Sequence, residues 1–199
     1  MEKNFLFLGV VFILILFGIG ENFLKRLHLK KSIVLVSTGL LLLSLLFPMQ
    51  SIFDFTFSIT FALLLIIATL CLKGTTNKKY LSRFLLSYLF GVLFMQILFL
   101  LEPLFFPNQQ AIFILAITLL GFLTLAFCKF PKQTFSSLFF SIHTAQIIQS
   151  LTKSKPLVLG DEIILFSIFI AIFFVSFMYN LIYVAKSKKR VKAFWGNKK

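Results

Sequence analysis

The chain reads as an all-α integral membrane protein, a bundle of about seven transmembrane helices with its N-terminus outside and its C-terminus inside. Three observations predict this. Hydrophobic residues fill 59% of the 199 positions, mean hydropathy is +1.01 and only 13% of residues are charged, where a soluble domain carries about a quarter. The apolar residues fall in long runs that are apolar on every face, as in lipid-exposed helices, without the two-residue alternation of a transmembrane barrel strand. The 20 Lys and Arg lie almost wholly between and after those runs.

The first run, residues 5–20, follows Glu2 and Lys3. Its weak positive flank and lack of a small-residue cleavage site argue for a retained helix over a signal peptide. Sixteen residues are short for a crossing, so Asn4 and residues 22–24 are expected to lengthen it. A basic loop follows with Lys25, Arg26, Lys30 and Lys31, and it holds His28, which reads as solvated. The second span covers 32–47 and stops at Pro48. Residues 49–54 connect it, without Lys or Arg, to the third span at 55–72. Lys73, Lys78, Lys79 and Arg83 mark a second basic loop, in which Gly74 and Asn77 supply turn chemistry.

The fourth span is 84–101. Residues 102–110 carry Glu102, Pro103 and Pro107 beside Leu104, Phe105 and Phe106, a composition suited to the interface. The fifth span is 111–127, and a tight turn with Lys129, Pro131 and Lys132 leads to the sixth at 134–151. The last and strongest span, 163–185, has Tyr179 and Tyr183 near its end as interface anchors. Residues 186–199 form a basic cytoplasmic tail with seven Lys or Arg and Trp195, suited to anionic lipid head groups. The polytopic domain is therefore 1–185.

The sixth span is polar enough that hydropathy alone leaves its crossing open, and charge decides it. With seven crossings, the pieces left inside carry four, four, two and seven Lys or Arg, 17 in all, and those left outside carry three. Without that crossing, the seven charges of the tail fall on the wrong side. The positive-inside rule therefore favours a crossing. Ser136, His143, Gln146 and Ser150 fall on one side of this helix, and Ser137, Ser141 and Thr144 on another. Polar groups on two faces need protein partners, because hydrocarbon offers none. The plain reading is a central helix whose side chains bond to its neighbours. The sharper one is a cavity or ion path with His143 as a titrating group.

The net charge of +14 points to topology and lipid, because no basic domain with interleaved aromatic residues stands outside the apolar runs to bind nucleic acid. Cys71 and Cys128 lack zinc or redox spacing and read as small buried hydrophobes. No metalloprotease, nucleophile-elbow, phosphate-loop or dinucleotide motif occurs, and no cofactor or metal is expected. One enzymatic pattern is weighed. Intramembrane aspartyl proteases of the prepilin-peptidase type pair two Asp, one of them in a G-x-G-D motif. Here Val158-Leu159-Gly160-Asp161 opens the last helix and Asp54 is the available partner. The first Gly is replaced, and the charge count puts both Asp outside. A turn and helix start with acidic residues suited to the helix dipole explains the segment better.

Two short stretches carry a resemblance. Leu101-Glu102-Pro103-Leu104-Phe105 after the fourth span and Leu159-Gly160-Asp161-Glu162 at the last helix resemble the acidic-Pro-aromatic and helix-opening patterns of the YphA-type family. That family comprises small multi-pass membrane proteins of Gram-positive bacteria with about seven spans. The sixth span departs from it, with Ala145-Gln146 where the family tends to carry Gly-Glu. The resemblance implies architecture and a bacterial cytoplasmic membrane, not an activity. The candidate functional positions are His143, Gln146, Gln149, Glu102, Asp161 and Glu162. The expected role is a non-enzymatic membrane partner or scaffold, the alternative a small transporter or channel on the sixth span, with the aspartyl protease third.

Overall fold

The computed structural model describes residues 2–18, 21–27, 29–47, 49–52, 55–72, 78–101, 108–128, 130–153 and 156–196. Glu102, Asp54 and His28 lie outside the described residues. The described chain is overwhelmingly helical. In order it forms α1 (Glu2–Leu16), α2 (Glu21–Arg26), α3 (Lys31–Ser44), β1 (Gln50–Ile52), β2 (Phe55–Phe57), α4 (Ile59–Leu72), α5 (Lys78–Leu101), α6 (Gln109–Cys128), α7 (Pro131–Lys153), β3 (Leu157–Leu159) and α8 (Glu162–Gly196).

Seven of the eight described helices cover the seven apolar runs. Three of them hold stretches long and apolar enough to cross a membrane: Tyr80–Leu101, Gln110–Cys128 and Glu162–Val184. The apolar helices α1, α3 and α4 are shorter, and α7, with 23 residues, is long but polar. Several boundaries differ from the sequence expectation for physical reasons. α1 ends at Leu16, and Gly18, at φ +76°, turns the chain with its N–H on the Ile15 carbonyl. α7 starts at Pro131, whose fixed φ suits a first helical position and which has no N–H to leave unpaired. α8 runs on through the basic tail to Gly196.

The main correction concerns the third span. Its first residues, Phe55–Phe57, form a strand, and the helix begins at Ile59. β1 pairs antiparallel with β2, Ser51 opposite Thr56, and β2 pairs parallel with β3, Thr56 opposite Val158. The sheet order is β1-β2-β3. Aromatic and β-branched side chains in 55–57 and Leu-Val-Leu at 157–159 suit strands. Ser58 joins sheet to helix: its N–H donates to the Leu159 carbonyl at 3.1 Å, and its Oγ accepts the Phe61 N–H at 3.0 Å, capping α4.

Side-chain contacts fix the helix directions. Phe61 stacks on Phe139 while Ser136 bonds to the Ala68 carbonyl, so α4 and α7 are antiparallel. Ser137 meets Ser87 and Gln96 meets the Ala145 carbonyl, so α5 and α7 are parallel. The Phe99–Phe113 and Phe90–Phe127 contacts make α5 and α6 an antiparallel pair. Phe7 against both Phe166 and Phe173, with Asn4 on the Glu162 carbonyl, sets α1 parallel to α8. The main helices therefore alternate in direction along the chain. The sheet lies at one end, where α4 and α8 start and α3 and α7 finish.

α7 sits at the centre and packs against α4, α5, α6, α8 and β3. Leu138, Phe139, Ile142 and Ala145 are fully buried, with Met95, Ile117, Leu120, Ile168 and Ala171 around them. The outer helices instead present large apolar side chains, Leu93 at 65% and Leu115 at 70% exposure among them. A surface of that kind is matched to lipid.

Gly91 of α5 packs tightly against Ser141 of α7. A Cβ at Gly91 would lie 2.6 Å from Ser141 Oγ and 2.7 Å from its Cβ. Gly91→Ala is expected to cost about 1–3 kcal/mol by overpacking, seen as a lower thermal midpoint in detergent. Ser141→Gly in the same chain is expected to restore most of that loss.

Candidate functional site

The polar side chains of α7 divide between two neighbours along the two faces the helical wheel separates. Toward α5, the Ser137 hydroxyl donates to Ser87 Oγ at 2.9 Å, and the Tyr88 hydroxyl donates to Thr144 Oγ1 at 3.0 Å. Gln96 Nε2 donates to the Ala145 carbonyl at 2.9 Å. Toward α4, the Ser136 hydroxyl donates to the Ala68 carbonyl at 2.8 Å. A carbonyl inside a helix has a lone pair left to accept such a bond. Each bond replaces one that hydrocarbon cannot supply and contributes about 0.6 kcal/mol on average.

His143 lies on the α4 side, 5% exposed. The Phe139 and Phe61 rings meet it edge-on, with centroids 4.4 and 4.7 Å away. Gln146, one turn along, donates from Nε2 to the Val158 carbonyl of β3 at 3.3 Å. That bond turns Gln146 Oε1 toward the imidazole. His143 Nδ1–H accordingly donates to Oε1 at 2.6 Å, and the lone pair lies on Nε2. Nε2 is buried and finds no hydrogen-bond partner among the described residues. The sheet therefore sets the tautomer of a histidine in the bundle core through one glutamine.

The remaining candidates do not converge on this pair. Gln149 is half-buried further along α7, where its carbonyl accepts the Thr152 hydroxyl. Asp161 caps α8: its Oδ1 accepts the Ile163 and Ile164 N–H groups at 2.9 and 3.4 Å, after Gly160 turns the chain at φ +82°. Glu162 opens α8 with an exposed side chain, and its carbonyl accepts from Asn4 Nδ2 at 3.2 Å. Glu102, and with it most of the first stretch that carries the family resemblance, lies outside the described residues, as does Asp54. Among the described residues no group of three or more His, Cys, Asp or Glu could hold a metal ion. Comparison with known proteins finds no family model, curated protein or solved structure that matches the chain.

Sequence reasoning missed Ser58, Ser87, Tyr88, Gln96 and Val158. Ser58, just ahead of an apolar run, carries a helix-start signal. Ser87, Tyr88 and Gln96 interrupt the fourth span with polar groups, which marks it as a helix with sides turned toward protein. Val158 takes part through its carbonyl, and no side-chain signal announces that.

Gln146→Leu removes the acceptor of His143 Nδ1–H and the donor to the Val158 carbonyl. A loss of about 1–3 kcal/mol is expected for groups left buried without partners, read from the thermal midpoint. Nitrogen NMR of the imidazole should show one tautomer, protonated at Nδ1, in the unsubstituted protein and a mixture in the variant.

Proposed function

We propose that the chain is a seven-crossing membrane protein, N-terminus out and C-terminus in, that works as a non-enzymatic membrane partner or scaffold. One feature supports the orientation and another the crossing of α7. The alternating helix directions put the described Lys and Arg of α2, of the starts of α3, α5 and α7 and of the far end of α8 at the end away from the sheet, as expected for a cytoplasmic side. The pairing of β2 with β3 joins the connection before α4 to the connection after α7. Those two connections share a side of the membrane only if α7 crosses. α7 is about 34 Å long at 1.5 Å per residue, enough for a hydrocarbon core of about 30 Å. β2 and α4 together reach about 31 Å, so the strand completes a span for which α4 alone is too short.

The observation that carries the scaffold reading is the use of the polar groups on α7. Ser136, Ser137, Thr144 and Gln146 hold neighbouring elements. A transport path would keep such groups for a passing solute. The Nε2 atom of His143 favours the second reading, a small transporter or channel, because it is a buried acceptor with no hydrogen-bond partner among the described residues. The aspartyl protease reading has less support, since Asp161 spends its carboxylate on a helix cap.

Vesicles loaded with a pH-sensitive dye and reconstituted with the full chain discriminate between the first two readings. The scaffold reading expects no proton flux above that of protein-free vesicles. A flux that disappears in His143→Phe would replace it with the transporter. A photo-crosslinking residue at Leu93 or Leu115 should also give a discrete protein adduct in cells; no adduct at either lipid-facing position counts against a partner.

Sidedness is tested with Cys71 and Cys128 changed to Ser and single cysteines at Ser51, Lys153 or Lys25. An impermeant maleimide is expected to label positions 51 and 153 on intact cells and position 25 only after lysis. Labelling of 51 without 153 would mean that α7 does not cross.

A further inference from the structure

At the end of the bundle away from the sheet, α2 and the start of α3 enclose a cleft of about 320 Å³ lined by Glu21, Leu24, Lys25, Leu29, Lys30 and Lys31. Its charge is unbalanced, with three ammonium groups against one carboxylate. Glu21 lies 3.9 Å from Lys31 Nζ, which leaves an excess of two positive charges. The first residues of α3 line the same space. Lys30 is its N-cap, extended at φ −78° and ψ 131°, and makes no side-chain capping bond. The first turn of a helix leaves N–H groups without intrahelical partners, and its dipole favours an anion there. α2 is amphipathic: Leu24 is buried and Lys25 exposed, with Leu27 buried just past its end. That pattern suits a segment lying along a membrane surface.

We propose that this cleft binds a phosphate group, namely the phosphodiester head group of an anionic phospholipid. The inference rests on the membrane-spanning reading, which puts this end at the cytoplasmic leaflet. The apolar side of the cleft distinguishes a lipid from free phosphate. Leu24 and Leu29 line it, and Phe17, Ile33 and Val36, in the segments that flank it in the chain, are 76%, 57% and 62% exposed. An acyl chain covers such side chains and an inorganic anion does not. The lysines reach the head group from stems lying on apolar surface, as lysines at membrane interfaces do.

The test is native mass spectrometry of the full-length protein in detergent, titrated with phosphatidylglycerol or with phosphatidylcholine of the same acyl chains. Inorganic phosphate serves as competitor. Phosphatidylglycerol is expected to be retained over phosphatidylcholine and to resist the competitor. Lys25→Gln and Lys30→Gln should each weaken it about fivefold, the equivalent of about 1 kcal/mol per basic residue. Lys78→Gln and Lys79→Gln, at the start of α5 and the same end of the bundle, should change it little. Equal loss in all four variants would make the binding diffuse and overturn the site. Displacement by inorganic phosphate at a concentration comparable to the lipid would overturn the lipid as occupant. Neither readout depends on sidedness, so failure here is separable from failure of the orientation measured in cells.

Discussion

In a bilayer a polar group has no solvent to fall back on, and the interior of this bundle is organised around that constraint. α7 carries Ser, Thr, His and Gln on two faces, so it cannot turn either face to lipid. It lies between α4 and α5, with α6 and α8 closing around it. The hydroxyls and amides that make it a poor lipid-facing helix hold the bundle together. Ser136 reaches α4, while Ser137, Thr144 and the Ala145 carbonyl are engaged by Ser87, Tyr88 and Gln96 of α5. Close approach at Gly91 keeps α5 near enough for these short side chains to meet.

The small sheet follows from the same constraint at the end of the bundle. A strand in or near hydrocarbon needs its backbone groups paired, and β2 pairs on both edges, with β1 and with β3. Three residues of strand lead into α4, which is shorter than the three long apolar helices. Through Ser58 the sheet also caps α4, and through the Val158 carbonyl it orients Gln146 and then His143. Two connections far apart in sequence thus become one structural unit next to the only histidine among the described residues.

Much of this was legible in the chain because membrane physics writes itself into composition. Seven apolar runs punctuated by basic loops gave seven helices in nearly the expected places, since a lipid-facing helix must be apolar all round. The two polar faces of α7 were readable from spacing, because residues three or four apart share a side of a helix. The helix start at Asp161 was readable too, since a short carboxylate ahead of an apolar run has backbone N–H groups to cap. The strands were not. Phe55–Phe57 is as apolar as the helix it precedes, and at three residues a strand and a helical turn have no distinguishable period.

The sequence by itself determined the helical class and the long apolar runs with basic residues between and after them, because these depend on composition and on order along the chain. Only the tertiary structure decided what the polar residues do. Which groups Ser136, Ser137, Thr144 and Gln146 bond to, and which helices flank α7, depend on elements brought from distant positions. In three cases the deciding partner is a backbone carbonyl, that of Val158 for Gln146, of Ala68 for Ser136 and of Ala145 for Gln96. Every residue carries these groups alike, so no pattern of side chains can mark them in advance.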